Sequence, residues 1–206
     1  MATRPQTPAE AWQALLAGNK RFVTDSREHP NQDVDRREAL AAAQVPYAAL
    51  FGCSDSRLSA EIIFDVGLGD LFVVRNAGQV IAESILGSLE YSVEVLGVPL
   101  ILVLGHDSCG AIAAAVDASD GKLAANGQFI QHLVAAIQPT ITHARSEGLQ
   151  HTDEFTARHV TETIDDIMSR SRLIREAVEA GNLALVGANY RLAAGEVHPL
   201  VTVGNI

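Results

Sequence analysis

Four short runs of consecutive apolar residues punctuate the chain, at 47–52, 71–74, 100–104 and 183–187. None alternates apolar with polar, so each reads as a strand covered on both faces. Between the runs the period changes. Ile81, Ile85, Leu89, Val93 and Leu96 stand near helical spacing and predict a helix over about 79–96. Helices are also expected at 60–64, from Cys109 to about Asp117, at 128–146, and over 152–180, the last stopped by Gly181. Residues 118–126 are rich in Gly, Asp and Asn and read as a loop. A fifth strand at 196–203 contains Pro199, which cannot donate to a ladder and so assigns it to a sheet edge.

The amino-terminal part differs. Thr7-Pro8-Ala9-Glu10 is a helix start, with Thr7 as cap, Pro8 at the first helical position and Glu10 three residues on. Trp12, Leu15, Leu16 and Asn19 then share one face to about Val23. A polar loop follows over 24–33, then a second helix over 34–43 capped by Asp33 or Asp35 and broken at Gln44-Val45-Pro46. The first helix reads as an arm that packs on something other than its nearest neighbours. Apolar strands alternating with helices predict an α/β fold: a mostly parallel central sheet, four core strands plus an edge strand, flanked by helices.

At 206 residues the expectation is one domain, 1–206, with about 1–33 as the helical arm. The formal charge of −10 argues against nucleic acid and anionic membrane surfaces as partners. No stretch has the apolar length of a membrane span, and Met1-Ala2-Thr3-Arg4-Pro5 lacks the apolar core of a signal peptide. With two cysteines and no secretion signal, a disulfide framework is not expected and a cytoplasmic location is.

Those two cysteines carry the candidate chemistry. Cys53-Ser54-Asp55-Ser56-Arg57 follows the first strand, and His106-Asp107-Ser108-Cys109-Gly110 follows the third. Open α/β sheets place their sites just past the carboxyl ends of strands. Cys53, His106 and Cys109 are three soft or borderline ligands, one short of a closed tetrahedron, which suits a catalytic zinc. The competing reading is two core cysteines and an unrelated histidine; their matching positions beside charged residues argue against it. Asp55 and Arg57 would ordinarily be a surface ion pair worth about 0–1 kcal/mol. Beside a metal, a bidentate Arg57 would keep Asp55 from taking the fourth position. Asp107 reads as structural or as a helix cap.

These blocks, with Phe72-Val73-Val74-Arg75-Asn76-Ala77-Gly78, Ser88-Leu89-Glu90-Tyr91 and the opening Ala11-Trp12-x-x-Leu15-x-x-Gly18-Asn19-x-Arg21-Phe22, resemble the beta-class carbonic anhydrases, most closely the bacterial members. The resemblance spans about residues 9–203. It implies a zinc enzyme, one ion per chain, that converts carbon dioxide to bicarbonate and a proton through zinc-bound hydroxide. It also implies a homodimer or homotetramer in which the amino-terminal helices reach across the partner.

Carried over residue by residue, Cys53, His106 and Cys109 are the metal ligands, and Asp55 and Arg57 the catalytic dyad. Gln44 matches a glutamine that reaches a neighbouring subunit's site and donates to substrate. Phe72, Ala77 and Tyr91 match positions lining the carbon dioxide pocket, though ordinary core is an equal reading for Ala77 and Tyr91. Gly78 and Gly110 support the backbone near the site. Some bacterial members also hold an inhibitory bicarbonate between a Trp, an Arg and a Tyr; Arg75 and Tyr190 fit, whereas Leu50 replaces the Trp and argues against that pocket. Thiolates donate more charge than imidazoles, so hydration should rise with pH into the mildly alkaline range. Two other readings stay open: a carbonyl sulfide or carbon disulfide hydrolase on the same scaffold, and a non-catalytic zinc-stabilised binding module. None of the remaining histidines is singled out.

Overall fold

The computed structural model describes residues 4–122 and 126–206. Five strands form one sheet: β1 (Ala48–Cys53), β2 (Leu71–Asn76), β3 (Leu100–His106), β4 (Ala184–Arg191) and β5 (Glu196–Val203). Their order is β2-β1-β3-β4-β5. The first four are parallel and β5 runs antiparallel to β4. Every residue of β1 and β3 is buried, as uninterrupted apolar runs require when helices cover both faces.

One face carries α1 (Pro8–Val23), α3 (Ala60–Ile63), α5 (Gly110–Ser119) and α6 (Gln128–Ser146), packed on Leu50, Leu100, Leu102 and Leu104. The other carries α4 (Glu83–Glu94), most of the buried face of α7 (Thr152–Arg170), and α8 (Arg172–Glu179), packed on Phe51, Ile101 and Val103. Helix α7 lies close on the sheet because two strand residues lack a side chain. A Cβ on Gly105 would sit 2.5 Å from Val160, and one on Gly187 would sit 2.8 Å from the same residue.

Helix α1 starts as its sequence dictates. Thr7 Oγ1 accepts from the Glu10 amide, and Glu10 Oε2 accepts from the Thr7 amide. Ala11, Trp12 and Leu15 are buried in the core of the same chain. Asn19 donates to the carbonyls of Ile63 and Gly195 and accepts from the Val197 amide, which ties α1 to the β4–β5 hairpin. Helix α2 (Val34–Ala39), capped by Asp33, is shorter than expected. It buries no residue, so nothing offsets the entropy of further turns beyond Leu40.

Other boundaries move for identifiable reasons. The helix expected from residue 79 begins at Glu83, because Gly78 (φ +73°) and Gln79 (φ +48°) are left-handed and a short 3₁₀ turn occupies Ala77–Gln79. The helix expected over 152–180 is two helices. Ser171 is extended between them, accepts from the Ile174 amide as cap of α8 and donates to Glu90. Strand β4 continues to Arg191 because its antiparallel pairing with β5 extends past Gly187. β2, expected among the core strands, lies at an edge and is only half-buried. Helix α5 runs to Ser119, into the expected 118–126 loop; residues 123–125 of that loop, and Met1-Ala2-Thr3 of the amino-terminal reading, lie outside the described residues.

Candidate metal centre

Parallel pairing brings the two chemical stretches together. β1 and β3 are neighbours, so Cys53 at the end of one and His106 at the end of the other emerge side by side. The chain then turns through Ser108, whose φ is +54°, and places Cys109 as the cap of α5. The ligating atoms of Cys53, His106 and Cys109 lie within 4.8 Å of one another, and all three residues are buried.

The chemistry of this set fits zinc. His106 Nδ1 is 2.8 Å from the Asp107 carbonyl. A carbonyl only accepts, so Nδ1 carries the proton and Nε2 is the bare nitrogen. That Nε2 is buried without a hydrogen-bond partner, a costly arrangement for a polar atom unless something else binds it. The two sulfurs compete for ionisation. Donation from the Cys109 thiol pulls the Cys53 pKa down, helped by the amides of Gly78 and Asp55. Cys109 is pushed up by that same contact and by burial. A divalent cation in place of the shared proton lets both act as thiolates. Two thiolates and a neutral imidazole are the protein share of a tetrahedral site with one position left.

Asp55 and Arg57 sit at the mouth. Asp55 Oδ1 accepts from the Arg57 amide and from Arg57 Nε, both at 2.9 Å, and Oδ2 accepts from Nη2 at 2.6 Å. Arg57 reaches on to the Ser108 carbonyl. This pairing holds the Asp55 carboxyl far below its usual range. Oδ2 is 4.0 Å from His106 Nε2, so the carboxylate faces the three donors while Arg57 grips it. Arg75 donates to the carbonyls of Cys53 and Asp55 and fixes the turn from behind. Asp107 accepts from the Leu192 amide and receives no metal-facing role. It is a brace, as its sequence position suggested.

The expected substrate residues are placed differently. Phe72 and Tyr91 pack together with ring centroids 6.0 Å apart, Phe72 half-buried and Tyr91 exposed. Ala77 follows Asn76, the register partner of Cys53, and is exposed. Gln44 lies on the exposed segment between α2 and β1. Within one chain Gln44, Ala77 and Tyr91 are exposed and Phe72 is half-buried. Leu50 and Arg75 border a small cavity beside Cys53, also lined by Leu58, Ile63 and Leu104; Tyr190 is not among its walls.

Sequence reasoning passed over His159. It is buried on α7 with Nε2 2.8 Å from the Gly78 carbonyl, and the Gly78 amide is 3.4 Å from Cys53 Sγ. Its spacing with Phe155, Val160, Thr163 and Ile167 on the buried face of α7 was the available signal.

A family profile described as carbonic anhydrase matches residues 48–197. Carbonic anhydrase 2 of Mycobacterium tuberculosis is 52% identical over 200 residues, covering 97% of this chain and 96% of the relative. A carbonic anhydrase of Mycolicibacterium smegmatis is 49% identical over 199 residues, with the same coverages. Among solved structures, a beta-carbonic anhydrase of Sordaria macrospora, described as tetrameric, superimposes with a TM-score of 0.74 at 21% identity, covering 94% of this chain and 98% of that one. At that identity the likeness is one of fold. With the profile, the mycobacterial relatives and the Cys-His-Cys cluster in agreement, the chain belongs to the beta-class carbonic anhydrases, of bacterial type.

Proposed function

We propose that this carbonic anhydrase holds one zinc ion per chain on Cys53, His106 and Cys109, with Asp55 and Arg57 as its catalytic dyad. The reaction is the reversible hydration of carbon dioxide to bicarbonate and a proton. When bound, zinc supplies a Lewis acid that makes water a nucleophile near neutral pH. The protein's own part is orientation. Asp55, ionised and fixed at both oxygens, accepts a hydrogen bond from the attacking water and aims its lone pair at carbon dioxide. Arg57 keeps Asp55 in that role and out of the metal's remaining position.

The observation that carries this reading is the bidentate Asp55–Arg57 pair facing three donors, one of them an unpartnered buried imidazole nitrogen. A purely structural zinc site would be closed by a fourth protein ligand. Among the described residues the metal cluster has three members. The mycobacterial relatives carry the name carbonic anhydrase, which favours carbon dioxide over carbonyl sulfide or carbon disulfide.

Gln44, Phe72, Ala77 and Tyr91 form the substrate side in a homodimer or homotetramer. Their exposure in one chain supports a site that a partner subunit completes, and β2, at a sheet edge, lies on that side. The net charge of −10 gives no footing for nucleic acid. No helix among the described residues is long and apolar enough to cross a membrane. Two free, buried thiols suit the cytoplasm, a reducing compartment.

Zinc analysis and stopped-flow hydration on the wild-type chain, Cys109→Ser and Gln44→Ala test this. One zinc per chain with fast hydration, loss of both in Cys109→Ser, and slower hydration with zinc retained in Gln44→Ala are expected. Zinc-loaded wild-type protein that releases sulfide from carbonyl sulfide but does not hydrate carbon dioxide would overturn the assignment.

A further inference from the structure

We propose that His159 is a positioning residue for the metal centre: through the carbonyl of Gly78 it sets the amide that hydrogen-bonds the Cys53 sulfur. The proposal rests on the zinc reading above and adds a residue outside it.

Gly78 needs an external clamp. Its φ of +73° is open to glycine and strained for other residues, and a Cβ there would lie 2.7 Å from Ala111 and 3.0 Å from Ile137. The same freedom leaves its two peptide planes free to rock. Its amide points at Cys53 Sγ, 3.4 Å away. Its carbonyl points the other way, to His159 Nε2 at 2.8 Å. Because a carbonyl only accepts, Nε2 must hold a proton and donate it. One buried imidazole therefore pins the turn whose amide faces the metal ligand.

The ring is itself held. His159 Nδ1 lies 3.3 Å from Thr140 Oγ1 on α6. The single Thr140 proton lies between Glu162, the nearer acceptor, and His159 Nδ1, and Glu162 is 2.8 Å from His143 Nδ1 and 3.5 Å from Arg158. The line runs from the metal turn to the surface, across α6 and α7. It is not a route for protons to the metal, because it meets the centre at a backbone carbonyl with no proton to exchange. Its effect is to fix geometry and the electron density at sulfur. A hydrogen bond to a thiolate weakens it as a donor, and such outer partners change metal affinity by about 10–100-fold when removed.

The test uses cobalt(II)-substituted whole chain, read by the thiolate-to-cobalt charge-transfer band and by the rate of metal loss to a chelator. His159→Leu removes the donor; His159→Gln restores an N–H close to Nε2; Thr140→Val removes the buttress and leaves the ring. The expected result for His159→Leu is a band moved to lower energy, because the sulfur donates more strongly, and metal loss about tenfold faster, because the turn beside Cys53 is no longer pinned and the ligand set is less preorganised. His159→Gln should return both toward wild type, and Thr140→Val should shift the band the same way by less. A purely packing role would lower thermal stability and leave the band in place. If His159→Leu does not fold, Thr140→Val and His159→Gln still decide: a wild-type band in Thr140→Val, or a band in His159→Gln displaced from that of wild type, overturns the proposal. Wild-type chain that takes up no cobalt or zinc overturns the metal reading itself, whereas tight wild-type binding with an unmoved band in His159→Leu overturns only this one.

Discussion

Arg57 holds both carboxylate oxygens of Asp55, Nε to Oδ1 at 2.9 Å and Nη2 to Oδ2 at 2.6 Å, while Oδ2 stands 4.0 Å from the bare nitrogen of His106. A carboxylate that close to a metal position has two fates. It becomes a ligand, or it is restrained and serves the water bound there. On the proposed reading, the bidentate geometry favours the second.

Arg57→Ala should therefore slow hydration by about 100-fold, the scale of a displaced catalytic group, with zinc content unchanged. Arg57→Lys should recover only part, because an ammonium cannot grip two oxygens in one plane. Stopped-flow rates alongside zinc analysis check this. Arg57→Ala at wild-type rate would show that Asp55 needs no restraint.

Gly78→Ala should damage both fold and site. The left-handed backbone costs about 1–2 kcal/mol with a Cβ, and the contacts at 2.7 Å to Ala111 and 3.0 Å to Ile137 add an overpacking cost of about 1–3 kcal/mol. The urea midpoint should fall, and zinc should be retained less well as the amide leaves Cys53. Gly110→Ala is the control, since a Cβ there meets nothing within 4 Å. Equal midpoints for the two variants would refute the argument.

Acid stability should depend on Asp65. Burial alone would raise its pKa, but the amides of Glu28 and His29 and the side chain of Arg21 outweigh burial and lower it. A carboxyl depressed in the folded state adds stability above its unfolded value, about 3.9, and loses it as pH falls through the folded value. Wild type should thus be more stable than Asp65→Asn at pH 6, and the gap should close between about pH 4 and acid. Urea midpoints of both proteins across that range measure it; a gap independent of pH would contradict the assignment.

The clustering of Cys53, His106 and Cys109 was legible in the sequence because their chemistry is local. Cys53 and His106 each end an apolar run, and the run's burial is what makes it a parallel inner strand with a site at its carboxyl end. The pairing of Asp55 with Arg57 was legible for the same reason, two residues apart on one turn. The break at Ser171 was not, since no Gly or Pro marks it and its cause is a contact to Glu90, 81 positions away. Nor was the edge position of β2, because Leu71-Phe72-Val73-Val74 is as apolar as an inner strand. Helical spacing places His159 on the buried face of α7, but its partner is a backbone carbonyl on another element, which spacing does not identify.

The most direct measurement is the pH dependence of carbon dioxide hydration from pH 6 to 9, by stopped flow on zinc-loaded wild type and Asp55→Ala. Asp55 is ionised throughout that range, held there by Arg57, so its own titration adds no step. A centre with two thiolate donors is a weaker Lewis acid than one with three histidines, and the wild-type rate should climb with pH into the mildly alkaline region. Asp55→Ala should be slower at every pH. A wild-type profile flat down to pH 6, or an Asp55→Ala profile that matches wild type, would contradict the account.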